Sequence, residues 1–242
     1  MAEDRLERAV ASARVDPEVL RLRPDYRVAL LAVDGIAPGP SDADGDALLV
    51  AAETAARERL AGRRVEDLPA VASWREAYLA FGAKPQRTRN SLEALLRRAA
   101  TGLPRVNRLT DLYNAISVLH EIPLGGEDLD RYDGPAQLVR ATGDEPFDTI
   151  VDGEPVVEHP EPGEVIWRDD AGVTCRRWNW RQGRRTQLTD ATTRALFILD
   201  ALDPMDHDAL DATVDHLAER LGRLGPDVRI ARRVIGVGAP RA

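Results

Sequence analysis

Three polar residues, Asn107, Asp111 and Asn114, recur at spacings of four and three within PRVNRLTDLYNAISVLHEIPLGGEDLD, residues 104–130. At about 100° per residue they share one narrow face of a helix, while Leu109, Leu112, Ile116 and Leu119 fall on the opposite face. The apolar stripe accounts for packing. The polar stripe can donate and accept hydrogen bonds, and suits an amino acid, a ribose or an RNA end. It also suits helix capping, because Asn107 stands where an N-cap belongs. Downstream, Gly125 and Gly126 in PLGGED remove the Cβ barrier and let backbone N–H groups approach a ligand. The same pair suits a plain helix-to-strand turn, and its spacing is neither a P-loop nor a dinucleotide fingerprint, so no nucleotide cofactor is expected.

A second candidate stretch is Arg176-Arg177-Trp178-Asn179-Trp180-Arg181, with Trp167 just upstream. Read as a strand, it puts Arg176, Trp178 and Trp180 on one face and Arg177 and Asn179 on the other. Interleaved arginine and tryptophan suit stacking on a base or amino-acid ring, or equally a tryptophan-anchored hairpin with exposed arginines. Lys84, Arg87 and Arg89 follow Gly82 and precede a helix; they read as a phosphate-binding patch or a solvated charged face. The four histidines have no metal-ligand spacing, Cys175 has no histidine near it in sequence, and no serine-triad motif occurs, so neither a metal nor a cofactor is expected.

The elements that position these residues follow from periodicity. Residues 1–24 read as a polar helical lead-in, and Tyr26–Val33 as a buried strand. Helices are expected over 47–60, 68–81, 91–100 and 107–121, each followed by or ending near a glycine or turn. Strands are expected at 137–141, 164–168 and 173–180, then helices at 190–202 and 206–221, and a last strand at 228–237. Helices and strands come in blocks, which favours an α+β fold over a doubly wound sheet. The chain has 242 residues, of which 43% are hydrophobic, enough for a sizeable core. Its net charge of −8 argues against a generic nucleic-acid binder, DNA included. No apolar run reaches a membrane span, the N-terminus lacks a signal-peptide core, and the single cysteine excludes an internal disulfide framework, so a cytoplasmic protein is expected.

FGAKPQRTRNSLEALLRRA (Phe81–Ala99), LPRVNRLTDLYNAISVLHEIPLGGEDLD (Leu103–Asp130) and CRRWNWRQGRRTQLTDATTRALFILDAL (Cys175–Leu202) together resemble the B3/B4 domain, the editing domain of the phenylalanyl-tRNA synthetase beta subunit. Proteins made of that domain alone are the closer likeness. The resemblance implies one α+β domain over 1–242, with a core of about 26–237 and a mixed or antiparallel sheet flanked by helices. It also implies a trans-acting hydrolase of misacylated aminoacyl-tRNA, a second sieve for errors that one apolar pocket cannot reject. On this likeness Asn114, Asp111, Gly125 and Gly126 would be catalytic. Asn107, Asp128, Arg177, Trp178 and Asn179 would hold substrate, and Lys84, Arg87 and Arg89 the tRNA acceptor end. Aligned without gaps, the synthetase's pocket histidine lands on Gly125 and its tyrosine-reading glutamate falls near Ile198, with Asp200 close by. A binding module for tRNA or a free amino acid, without catalysis, remains the alternative expectation.

Overall fold

A computed structural model describes residues 2–236. In chain order its elements are α1 (Ala2–Ser12), β1 (Arg14–Val15), α2 (Pro17–Leu22), β2 (Arg27–Asp34), α3 (Ala43–Leu60), α4 (Pro69–Ala80), α5 (Ser91–Ala99), α6 (Arg108–His120) and β3 (Leu124–Asp128). They continue with β4 (Gln137–Arg140), β5 (Phe147–Val151), β6 (Glu154–Glu158), β7 (Val165–Arg168), β8 (Val173–Arg176), β9 (Arg181–Gln182), β10 (Arg194–Ala201), α7 (His207–Gly222) and β11 (Arg229–Gly236). The fold is α+β, with mixed and antiparallel sheets flanked by helices.

The centre is a four-stranded antiparallel sheet in the order β11-β2-β10-β3. Alternation along its two middle strands assigns each face a core. Ala29, Leu31 and Val33 of β2, with Ala195, Phe197 and Leu199 of β10, face a helical layer built from α3, α5, α6 and α7. Val28, Leu30 and Ala32, with Leu196 and Ile198, face the second core, where Leu6 and Val10 of α1, Trp74 and Tyr78 of α4 and the second sheet meet. That sheet runs β1-β4-β7-β8-β9, with only β1–β4 parallel. The hairpin β5–β6 stands apart from both sheets.

Burial on both faces explains one correction. Of residues 190–202, expected to be helical, 194–201 form β10 instead. Its run ALFIL is apolar at every position because both faces are covered, and such a run carries no period to distinguish helix from strand. The PLGG segment, expected as a turn, is the edge strand β3. Its Gly126 is required by crowding, because a Cβ there would lie 2.7 Å from Leu188 and 2.8 Å from the Phe197 ring. The expected strand 173–180 stops at Arg176 and breaks into a turn. The lead-in is structural, since α1 packs against β2 and β11. The last expected strand, 228–237, is found at Arg229–Gly236, and Val237 lies outside the described residues.

Candidate functional site

Where the edge of β3 meets α5, α6 and the β8–β9 turn, the two layers leave a cavity of about 230 Å³. Its walls are mostly apolar: Leu95 from α5, Tyr113 from α6, Leu124 from β3, Trp167 from β7, and Ile198 from β10. Polar groups project from several directions. Asn114 comes from α6, Glu127 from β3, Asp200 from β10, and Asn179, Arg181 and Gln182 from the β8–β9 region. Gly125 faces the cavity beside Ile198, its partner across the ladder. A Cβ on Gly125 would stand 3.0 Å from Gln182 Nε2, which donates to the Gly126 carbonyl at 2.9 Å.

The α6 stripe divides sharply. Asn107 is the N-cap, and its side chain accepts from Thr110 N at 2.9 Å. Asp111 is fully buried, accepts from Val106 N at 2.7 Å and from the Ser41 hydroxyl, and closes the loops before α3 and α6. Neither lines the cavity. Asn114, one turn on, is 7% exposed and faces the cavity, and its side chain has no hydrogen bond to any described residue. The amide is not sealed inside the protein: it opens onto the cavity, where a ligand can meet it.

The turn after β8 is strained on purpose of packing: Arg177 and Trp178 sit at φ 47° and 68°, the left-handed region, which costs non-glycine residues roughly 1–2 kcal/mol each. Trp178, wholly buried, offsets this by packing edge-on to Tyr26 at 5.0 Å and Trp74 at 5.3 Å. Glu164 holds the turn from beneath. It accepts from Arg176 Nη2 at 2.8 Å and from the Arg177 backbone N–H at 3.0 Å. Asn179 therefore reaches the cavity wall, donating to Asp200 at 3.3 Å and accepting from the Tyr78 hydroxyl at 3.0 Å. Arg177 turns away from the cavity, stacks over Trp180 at 4.4 Å and donates to Thr88 Oγ1 at 2.6 Å.

Two buried acids at the wall carry shifted ionisation. Burial pushes the Asp200 carboxyl up to about 7, against the opposing hydrogen bonds from Tyr26 at 2.6 Å and from Asn179. Burial likewise raises Glu127 to about 7, although the Tyr132 hydroxyl donates to it. Desolvation, reinforced by these two carboxyls, drives the buried Cys175 thiol well above its ordinary value, so it stays protonated.

The remaining expected site residues fall around this cavity or away from it. Asp128 is structural: it accepts from Thr192 at 2.8 Å and from Asp130 N at 3.0 Å. Gly126 is beside the cavity without lining it. Lys84, Arg87 and Arg89 are exposed on the loop between α4 and α5. That loop is fastened to the cavity rim by the Thr88–Arg177 bond and by Ser91 N donating to Asn179 O at 3.0 Å. Sequence reasoning missed Ser91, Tyr113, Glu127 and Gln182 as wall residues. Glu127 alone had a signal, standing directly after the two glycines that were singled out.

The profile of the B3/4 domain family matches residues 73–221, more than half of the chain. The chain belongs to the B3/4 domain family. The matched span contains every cavity-lining residue named above. Among solved structures, the chain is similar to an N-terminal fragment of the phenylalanyl-tRNA synthetase beta-subunit from Pyrococcus horikoshii. The two share 15% identity and a TM-score of 0.44, and the match covers 90% of this chain and 50% of the other. The chain thus spans about half the length of that fragment. No curated protein matches it. No described helix is long and apolar enough to cross a membrane.

Proposed function

We propose that this B3/4 domain is a tRNA-associated deacylase that hydrolyses, in trans, the ester of a misacylated aminoacyl-tRNA. The observation that carries the reading is the Asn114 amide, which has no protein partner and opens from a largely covered residue into a cavity sized for one amino-acid residue. In the reaction Asn114 donates to the ester carbonyl oxygen as negative charge develops there, a service worth most in a site shielded from water. Gly125 leaves the backbone open to the ester. Trp178 and Asn179 form the wall that contacts the aminoacyl group. Lys84, Arg87 and Arg89 contact phosphates of the acceptor end. Asn107, Asp111, Gly126, Asp128 and Arg177 act indirectly, by holding these elements in place. No histidine lines the cavity, so the vicinal ribose hydroxyl of the substrate itself takes part in activating water.

One observation favours a second reading, a non-catalytic receptor for an amino acid or an aminoacyl-tRNA. Both acids at the wall are held by tyrosine hydroxyls, which leaves the cavity without a free base. A panel of correctly and wrongly aminoacylated tRNAs separates the two. Selective release of one amino acid, lost in Asn114→Ala, supports the deacylase. Binding without release from any member supports the receptor and removes the deacylase.

A further inference from the structure

Away from the cavity, α6 and α7 meet through two imidazoles. His120, the last residue of α6, and His216 of α7 place Nε2 and Nδ1 2.9 Å apart, with their rings at 62° to each other. The second nitrogen of His216, Nε2, faces the Arg220 Nε–H at 3.4 Å. This order fixes the hydrogens. A guanidinium only donates, so His216 Nε2 is bare and accepts. His216 then carries its hydrogen on Nδ1 and donates it to His120 Nε2, which leaves the His120 hydrogen on Nδ1. The relay from Arg220 through His216 to His120 is complete only while both rings are neutral. One added proton breaks either the Arg220 bond or the bond between the rings, and a second sets N–H against N–H.

The surroundings also oppose a charge on either ring. Both rings are partly buried. Arg59 of α3 lies beside His120, and Arg220 and Arg223 of α7 lie beside His216. Two features at this end of α6 favour a cation, its terminal carbonyls and the Glu121 carboxylate. Arg59 already engages both, donating to Val118 O at 2.8 Å and Leu119 O at 2.6 Å and pairing with Glu121 at 2.8 Å. Glu219, the acid whose field reaches His216, is paired with Arg223.

We propose that the His120–His216 pair is a proton-sensitive clasp, which ties α6 to α7 while both rings are neutral and releases that contact on mild acidification. The same helix α6 presents Asn114 to the cavity, so the clasp sets how firmly that wall is anchored. It goes beyond the deacylase reading and does not rest on it. Burial holds both rings below the ordinary imidazole value of 6.5, so the contact is intact above that pH and is lost as pH falls below it.

The test uses the full chain, without tRNA. Nitrogen NMR of the isotope-labelled protein at pH 8 should find His120 and His216 both in the Nδ1–H form, the minor tautomer of a free imidazole. Exposed His159 supplies the ordinary Nε2–H form as an internal reference. An Nε2–H ring at either position of the pair would overturn the relay. Amide exchange then reads the release. Between pH 7.5 and pH 5, after correction for the intrinsic rate, protection of Val118–His120 and of the turn of α7 around His216 should fall about tenfold or more relative to the β2 amides, the scale of one pKa unit. Asp200 and Glu127 favour the folded state at low pH, so their titration does not produce such a loss. The fall should be absent in His120→Gln/His216→Gln. A wild-type ratio that does not change with pH, or an equal fall in the double variant, would each overturn the clasp. The wild-type measurements stand even if the variant does not fold.

Discussion

Asp111 and Asn114 are one turn apart on the same helix, both polar and both buried, yet they belong to different economies of hydrogen bonding. Around Asp111 the network closes. Its carboxylate meets Val106 N and Ser41, the neighbouring N-cap Asn107 meets Thr110 N, and Asp42 caps α3 while pairing with Arg108 at 2.7 Å. Around Asn114 the network stays open. The amide has no described partner, and the acids across the cavity have hydroxyl and amide donors but no counter-ion. Polarity and burial alone do not mark a site. Unmet bonding capacity facing a cavity does.

Substitutions can break this contrast, and the largest effect belongs to the closed side. Asp111→Ala strands a buried backbone N–H and a hydroxyl, and should cost about 2–4 kcal/mol in urea denaturation. A loss below about 1 kcal/mol would mean that the network is not structural. Gly126→Ala forces a Cβ against Leu188 and Phe197 and should cost about 1–3 kcal/mol by the same measurement. An unchanged midpoint would show that β3 has room to shift.

Ionisation gives a third, smaller difference. The folded-state pKa values of Asp200 and Glu127 lie near 7, above the ordinary carboxylate values of 3.8 and 4.5. The folded state therefore binds more protons than the unfolded state between roughly pH 4 and 7. The stability from keeping these groups protonated is full at low pH and is lost as pH rises through about 7. His120 and His216 work the other way. Burial lowers both first, helped at His120 by His216 and Arg59 and at His216 by Arg220 and Arg223, so their contribution is lost as pH falls. The difference between wild type and Asp200→Asn isolates the acid. The stability advantage of wild type over Asp200→Asn should shrink by about 1–3 kcal/mol from pH 5 to pH 8. A difference independent of pH would place the Asp200 carboxyl back at its ordinary ionisation. The smallest stability effect should come from Asn114→Ala, within about 0.5 kcal/mol of wild type in the same denaturation, because it removes an amide that contributes no internal bond.

The sequence was most legible where one face is covered. The helices α5 and α7 carry a 3.6-residue stripe and the side-chain N-caps Asn90 and Asp206, and they lie close to where periodicity puts them. Where both faces are covered, as in β10, the pattern loses its period and the element was misread. The hairpin β5–β6 was passed over although Asp152-Gly153 between alternating segments is a turn signal. Asn114, Gly125 and Asn179, expected as site residues from the sequence, line the cavity, and Lys84, Arg87 and Arg89 lie exposed on the loop beside it. Glu127 was missed although it directly follows the two glycines, because its significance comes from burial in the cavity wall, which no local pattern encodes. Trp178 and Trp180 were placed on one strand face, but the left-handed turn sends Trp178 into the core and leaves Trp180 beneath Arg177.

The central claim is that the open side of the molecule, and Asn114 above all, performs ester hydrolysis. Its most direct test is the single-turnover rate of amino-acid release from the misacylated tRNA that the panel selects, comparing wild type with Asn114→Ala after checking that the two unfold alike. The account predicts a fall of about 100-fold in the rate of the bound complex, the scale of losing one donor to a developing oxyanion. An unchanged rate in a variant of unchanged stability would contradict it.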